Sequence, residues 1–258
     1  MKKILVAALL AVGFAGSAFA QAVNGDLIMG FRDDGSDGGT GTSSNLTINL
    51  GLFNQFEAGG AFYSPGVAVN TGINLTTDGV GTLYGGSYLT DTGLLWGVVG
   101  TNTGSNNELF VTAAAPGGIA GSSTPWLDRS NTSQSSQHSI FATFVAQQGS
   151  NPVLIASTST STSWSFKEGT SSVAFGAYNK SLFEASSTNG DVADLYDLPT
   201  TTGVPGVLLG SFSLDSSGNV DFTAAGAAIP EPSTYAAILG AAVLAVAIYR
   251  RRQHSLAL

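Results

Sequence analysis

Alternation of apolar and polar side chains limits most strongly what this chain can fold into. Leu27, Met29 and Phe31 alternate with Asp26, Ile28 and Gly30, and Leu46, Ile48 and Leu50 alternate with Thr47 and Asn49. Successive side chains of an extended strand point to opposite faces, so each run offers one face to a core. Residues 93–99 read GLLWGVV, a continuous apolar strand. The turn TNTGSNN follows, and Leu109, Val111 and Ala113 return as its partner. Trp96 sits inside that apolar run and reads as a core anchor, with stacking on a sugar ring as the alternative. Near residue 210, Leu208, Gly210, Phe212 and Leu214 share a face, and Val220 with Phe222 form a partner strand across DSSGN. Between Phe53 and Gly93 frequent glycines obscure any period.

One segment departs from the β pattern. Ile140, Phe141, Phe144 and Val145 make a single apolar stripe at helical spacing, and Gly149 with Pro152 end it, which predicts a helix over residues 130–148. Elsewhere the chain is rich in Gly, Ser, Thr and Asn and poor in charge. Long surface helices would need more Lys, Glu and Arg, so turns and strands suit this composition better. Aromatics are spread throughout, unlike a disordered tract. There is no cysteine, so stability must come from a buried core and not from disulfides. The expectation is an all-β fold: one antiparallel sandwich or jelly-roll-like domain over residues 21–229, with one or two short helices.

The two ends read differently. Lys2 and Lys3 precede an apolar core from Ile4 to Phe14, and Ala18, Phe19 and Ala20 place small residues where a signal peptidase reads them. Residues 1–20 therefore read as a signal peptide cleaved before Gln21. At the other end, Pro230, Glu231 and Pro232 precede an uncharged run from Ser233 to Tyr249, and Arg250, Arg251 and Arg252 close it. The stretch of about 235–249 reads as a short transmembrane helix with its arginines in the cytoplasm. Pro230 and Pro232 hold the segment before it extended.

The order Pro-Glu-Pro, hydrophobic helix, Arg cluster in residues 230–258 resembles the PEP-CTERM sorting signal of Gram-negative bacteria. The resemblance covers this tail. It implies processing by an exosortase, an intramembrane transpeptidase, after transient anchoring in the inner membrane. It also implies a cell-surface or extracellular destination in the setting of exopolysaccharide production. The GDLIMGFR opening, its Gly/Ser loop and the NLTINLG strand also look like a pattern common in proteins with this tail, which implies a shared scaffold more than an activity.

Between the two ends only Arg32, Arg129, Lys167 and Lys180 are basic. Against 16 acidic residues they leave residues 21–229 with a net charge of −12. So acidic a surface repels phosphate backbones, which argues against a nucleic-acid partner. Candidate chemistry is sparse. Asp33, Asp34 and Asp37 invite a calcium reading, but Gly35 and Ser44 fall where an EF-hand loop needs ligands, so a solvated acidic loop is expected. His138 lies on a Gln/Ser-rich helical face and is expected to be solvated. With no cysteine and no elbow motif around a serine, nucleophilic catalysis has little to use. Carboxylates such as Glu57, Glu108, Glu168 and Glu184 leave a glycosidase pair open. Trp126 or Trp164 could serve a carbohydrate-binding module as a stacking platform. The tract STSTSTS over residues 157–163 reads as an exposed edge strand or, alternatively, as a sugar-bearing spacer. Asn45, Asn74, Asn131 and Asn179 stand in Asn-x-Ser/Thr sequons. No cofactor is implied. The reading is a non-enzymatic structural or adhesive surface protein, with a carbohydrate-binding module and a glycoside hydrolase as alternatives.

Overall fold

The computed structural model describes residues 25–36, 41–102, 108–124, 126, 131–148, 153–160, 163–165, 184–186, 191–198 and 203–226. The signal peptide, the Pro-Glu-Pro motif, the apolar run and the Arg cluster lie outside the described residues. The chain divides into two compact units, Met1–Ala225 and Gly226–Leu258. Among the described residues, no helix is long and apolar enough to cross a membrane.

The first unit is built on one antiparallel sheet curled into a half-barrel, which agrees with the all-β expectation. Its strands are β1 (Asp26–Asp33), β2 (Ser44–Leu52), β3 (Val69–Asn74), β4 (Leu94–Asn102), β5 (Glu108–Ala114), β6 (Val153–Ser157), β7 (Ala185–Ser186), β8 (Val192–Leu198), β9 (Val207–Leu214) and β10 (Asn219–Ala224). Across the sheet they run β3-β10-β9-β8-β5-β4-β1-β2-β6, and β7 pairs with β4. Two helices accompany them, α1 (Val80–Tyr84) and α2 (Asn131–Gln148). The cores that two sheets would enclose in a sandwich are carried here on the two faces of one sheet.

The alternation read from the sequence assigns those faces. Leu27, Met29 and Phe31 of β1, Leu46, Ile48 and Leu50 of β2, and Leu94, Trp96 and Val98 of β4 join one core. The chain between β2 and β3 covers that core with Phe56, and α1 covers it with Val80 and Tyr84. Phe56 sits centrally, 5.3 Å from Phe212 and 5.0 Å from Phe222, edge-on to both rings. Aromatic pairs of this geometry each contribute about 1 kcal/mol beyond the area they bury. On the opposite face, Ile28, Val99, Leu109 and Val111 meet Phe141, Phe144 and Val145 of α2. The helical stripe therefore packs as its spacing predicts, and Trp96 is a fully buried core residue.

Two elements depart from what their local sequence pattern suggests. The Ser/Thr tract is not an edge strand along its length. Strand β6 ends at Ser157, and the chain turns over Thr158–Thr160, where the Thr160 hydroxyl donates to the Ser157 carbonyl. Hydroxyls that bond their own backbone compete with a ladder, and here they win. Residues 161 and 162 of the tract lie outside the described residues. The second change is β8, whose DVADLYDL sequence hides its strand period because Asp194 occupies a buried position.

Gly30 shows why small residues interrupt β1. A Cβ there would lie 1.9 Å from Cε3 of Trp164, whose indole covers that point of the strand. Substitution Gly30→Ala should therefore lower unfolding free energy by about 3 kcal/mol through overpacking, read from chemical denaturation. An unchanged midpoint would show that Trp164 can be displaced without cost.

Candidate functional site

The densest convergence of chemistry-bearing side chains lies at the C-terminal end of β1, on the face covered by α2. Arg32 extends from β1 and donates to Glu184, with Nε 2.9 Å from Oε2. The Trp164 indole N–H donates to Oε1 of the same carboxylate at 2.7 Å. Next to Trp164, the Ser165 backbone N–H donates to Oδ1 of Asn45 on β2. The pair is largely out of water, with the Arg32 and Glu184 side chains 12% and 2% exposed. Segments 163–165 and 184–186 are thus pinned to β1 and β2 by one cation, one anion and one indole. An ion pair this buried is neutralised and held in place; it is arranged to fix chain segments together rather than to meet a substrate. Neither Arg32 nor Glu184 could be paired from sequence, being 152 positions apart. The available cue was a lone arginine in an apolar strand of a chain with few bases.

A second hub stands on β8. Asp194 is fully buried, and its carboxylate accepts from the backbone N–H groups of Gly121 and Ser123 and from the Ser211 hydroxyl. Ser123 also shares a hydrogen bond with the Tyr196 hydroxyl. These bonds tie down the loop that carries Trp126, whose indole N–H donates to the Thr112 carbonyl.

The three tryptophans therefore differ in access. Trp96 and Trp164 are wholly buried, and Trp126 is partly exposed. Trp164 packs against Phe144 at 5.9 Å and faces Gly30, so it offers no platform to a sugar.

Carboxylates converge elsewhere. Burial and the neighbouring Glu108 raise the proton affinity of Glu57. Glu108 accepts from the Asn102 amide, close to where Phe53 stacks on Phe110 at 4.6 Å. Two carboxylates that influence each other are the raw material of an acid–base pair. Of the other candidates, Glu184 is neutralised by Arg32, and Glu168 lies outside the described residues. Burial and then Asp215 raise Asp221 in the same way. Asp215, however, is bound into the β9–β10 turn, accepting from the backbone of Ser217 and Asn219.

In the acidic loop, Asp33 accepts from the Gly35 N–H and Asp34 from the Ser36 N–H, while Asp37 lies outside the described residues. Among the described residues, no group of three His, Asp or Glu side chains could hold a metal ion. Asn45 is 1% exposed, so its sequon is inaccessible in the folded chain.

The expectation that His138 is solvated is overturned. It is 7% exposed, turned toward the sheet, with Nε2 lacking a hydrogen-bond partner. Helical spacing places it near the apolar stripe, while its neighbour Ser139 is exposed. Burial lowers its pKa below 6.5, offset in part by its bond to the Asn102 backbone. The unfolded chain therefore takes up this proton before the folded chain does. The stabilisation is complete above about pH 6.5 and is lost as pH falls through the folded value. Unfolding titrations should show that slope in the parent and a shallower one in His138→Gln; parallel slopes would contradict the assignment.

Removing one member of the Arg32–Glu184 pair should cost more than removing both. Glu184→Gln removes the carboxylate charge from this buried pair and should lower stability by about 3 kcal/mol. Adding Arg32→Met should restore much of that loss, because glutamine still accepts from Trp164. Additive losses in the double variant would show that the two charges do not depend on each other.

No family model matches this chain, and no curated protein or solved structure matches it.

Proposed function

We propose that this chain is an exported cell-surface or extracellular-matrix protein, structural or adhesive in role and working alongside secreted polysaccharide. The observation that carries the proposal is the order of parts in residues 230–258: Pro-Glu-Pro, an uncharged run, then Arg250, Arg251 and Arg252. An ordinary anchor has no need of an extended Pro-Glu-Pro segment ahead of its helix, whereas a processing enzyme needs an accessible extended peptide. The basic end keeps the tail's terminus in the cytoplasm while the acidic domain faces outward. The domain itself supports a scaffold role, because its buried charges serve internal ties: Arg32 with Glu184, and Asp194 with Ser211.

Intact mass of the protein recovered from cells and from medium tests this reading. The released form should begin at Gln21 and lack the chain beyond Pro232. Replacing Pro230, Glu231 and Pro232 with alanine should leave the uncut form in the inner membrane. A released form that retains Tyr235 to Arg252 would overturn the sorting step.

One observation favours a carbohydrate-binding reading as the second choice. Trp126 combines partial exposure with a loop held rigid by Asp194. Binding on a glycan array that disappears in Trp126→Ala, with the fold retained, would establish it; equal binding by that variant would remove it.

A further inference from the structure

Helix α2 joins two unlike halves end to end. From Asn131 to Ser139 it reads NTSQSSQHS and carries no apolar residue, whereas Ile140, Phe141, Phe144 and Val145 all fall in the second half. Ser, Thr, Asn and His are modest helix formers, and Ser and Asn side chains compete for their own backbone. A polar stretch this short has little reason to stay helical in water, so contact with the sheet must hold it. The second half has such contact in plenty. Phe141, Phe144 and Val145 enter the core beneath the helix, and Gln148 exchanges hydrogen bonds with Thr47 of β2.

In the first half, the residues with described side chains are His138 and Ser139. Ser139 is exposed, while His138 is 7% exposed. Its imidazole hydrogen-bonds the Asn102 backbone at the end of β4, and Nε2 is buried with no hydrogen-bond partner. A neutral ring tolerates that position, because the cost is one lost bond to water. Protonation puts an N–H on both ring nitrogens, and the one at Nε2 would be a buried donor without an acceptor, on a cation.

The ionisable groups on the elements packed against α2 have other partners. The helix packs on β4, β1 and β5. No ionisable side chain occurs on β4 or elsewhere on α2. On β5, Glu108 stands opposite Asn102 and accepts from its amide. On β1, Asp26 shares the face of Ile28 and accepts from Asn49, Arg32 is paired with Glu184, and Asp33 falls on the other face. The Tyr196 hydroxyl, in the core that α2 covers, bonds Ser123. None of these groups accepts from Nε2.

We propose that His138 is an acid-released latch: neutral, it seats the first half of α2 against the end of β4, and protonated, it lets that half leave the sheet while the second half stays in place. The hinge falls between Ser139 and Ile140, where polar sequence gives way to the apolar stripe. An undocked ring meets water and titrates at its ordinary 6.5, whereas burial holds the docked ring below that value. Docking is therefore fully favoured above about pH 6.5 and weakens as pH falls through the docked value. The release is local and distinct from global unfolding.

Amide hydrogen exchange of the full chain in a non-denaturing detergent tests the latch, compared at about pH 7.5 and about pH 5 after correction for intrinsic rates. Protection over residues 131–139 should fall severalfold at the lower pH. The ordinary value of 6.5 limits that fall to about 30-fold at about pH 5. Residues 140–148 and the β9–β10 hairpin should keep their protection. His138→Gln stays neutral and should remove the difference between the two pH values, and His138→Phe should do so with a ring retained. A difference that persists in both variants, an equal loss in both halves of α2, or no loss at the lower pH would overturn the proposal.

Discussion

Burial of β1 on both faces is the constraint from which much of the first unit follows. Leu27, Met29 and Phe31 enter one core, and Ile28 enters the other beneath α2. A strand enclosed in this way has no face for water, so its polar side chains must find partners inside. Two of them do so with side chains from other parts of the chain. Asp26 accepts from the Asn49 amide, and Arg32 meets Glu184. On neighbouring β2, Thr47 and Gln148 exchange hydrogen bonds, which anchors the last turn of α2 to the sheet. Enclosure also explains Gly30, where an added Cβ would strike the Trp164 indole.

The same constraint shapes the functional reading. Arg32, Glu184 and Asp194 hold loops and short strands to the sheet. Asp194 binds two backbone N–H groups and a hydroxyl, which places the Trp126 loop without leaving its carboxylate free for substrate. The Glu57–Glu108 pair is the carboxylate arrangement nearest to an acid–base couple, and one member already accepts from Asn102. The domain's buried charges serve internal ties, and that is the feature on which its proposed scaffold role draws.

Legibility in the sequence followed the regularity of the local pattern. The β4–β5 and β9–β10 hairpins and helix α2 were visible because period and turn residues agreed over several consecutive positions. Strand β8 was hidden because Asp194 breaks the apolar alternation, and only its distant donors make that position tolerable. The Ser/Thr tract misled because strict alternation resembles a strand, while its hydroxyls favour a turn. His138 misled because a polar sequence context does not reveal which face of a helix is buried. The candidate site was least legible. Arg32, Trp164 and Glu184 come from three separate segments, and no spacing rule connects them.

By itself the sequence determined the β character of the domain, the position of helix α2, its lack of disulfides and its acidity. These rest on local period and composition, which each short window carries. Tertiary structure alone decided that the strands join one curled sheet, that Trp164 is core while Trp126 reaches the surface, and that Arg32 is paired. Those outcomes depend on which segments meet across long stretches of chain, and the burial they produce sets the cost of every polar group.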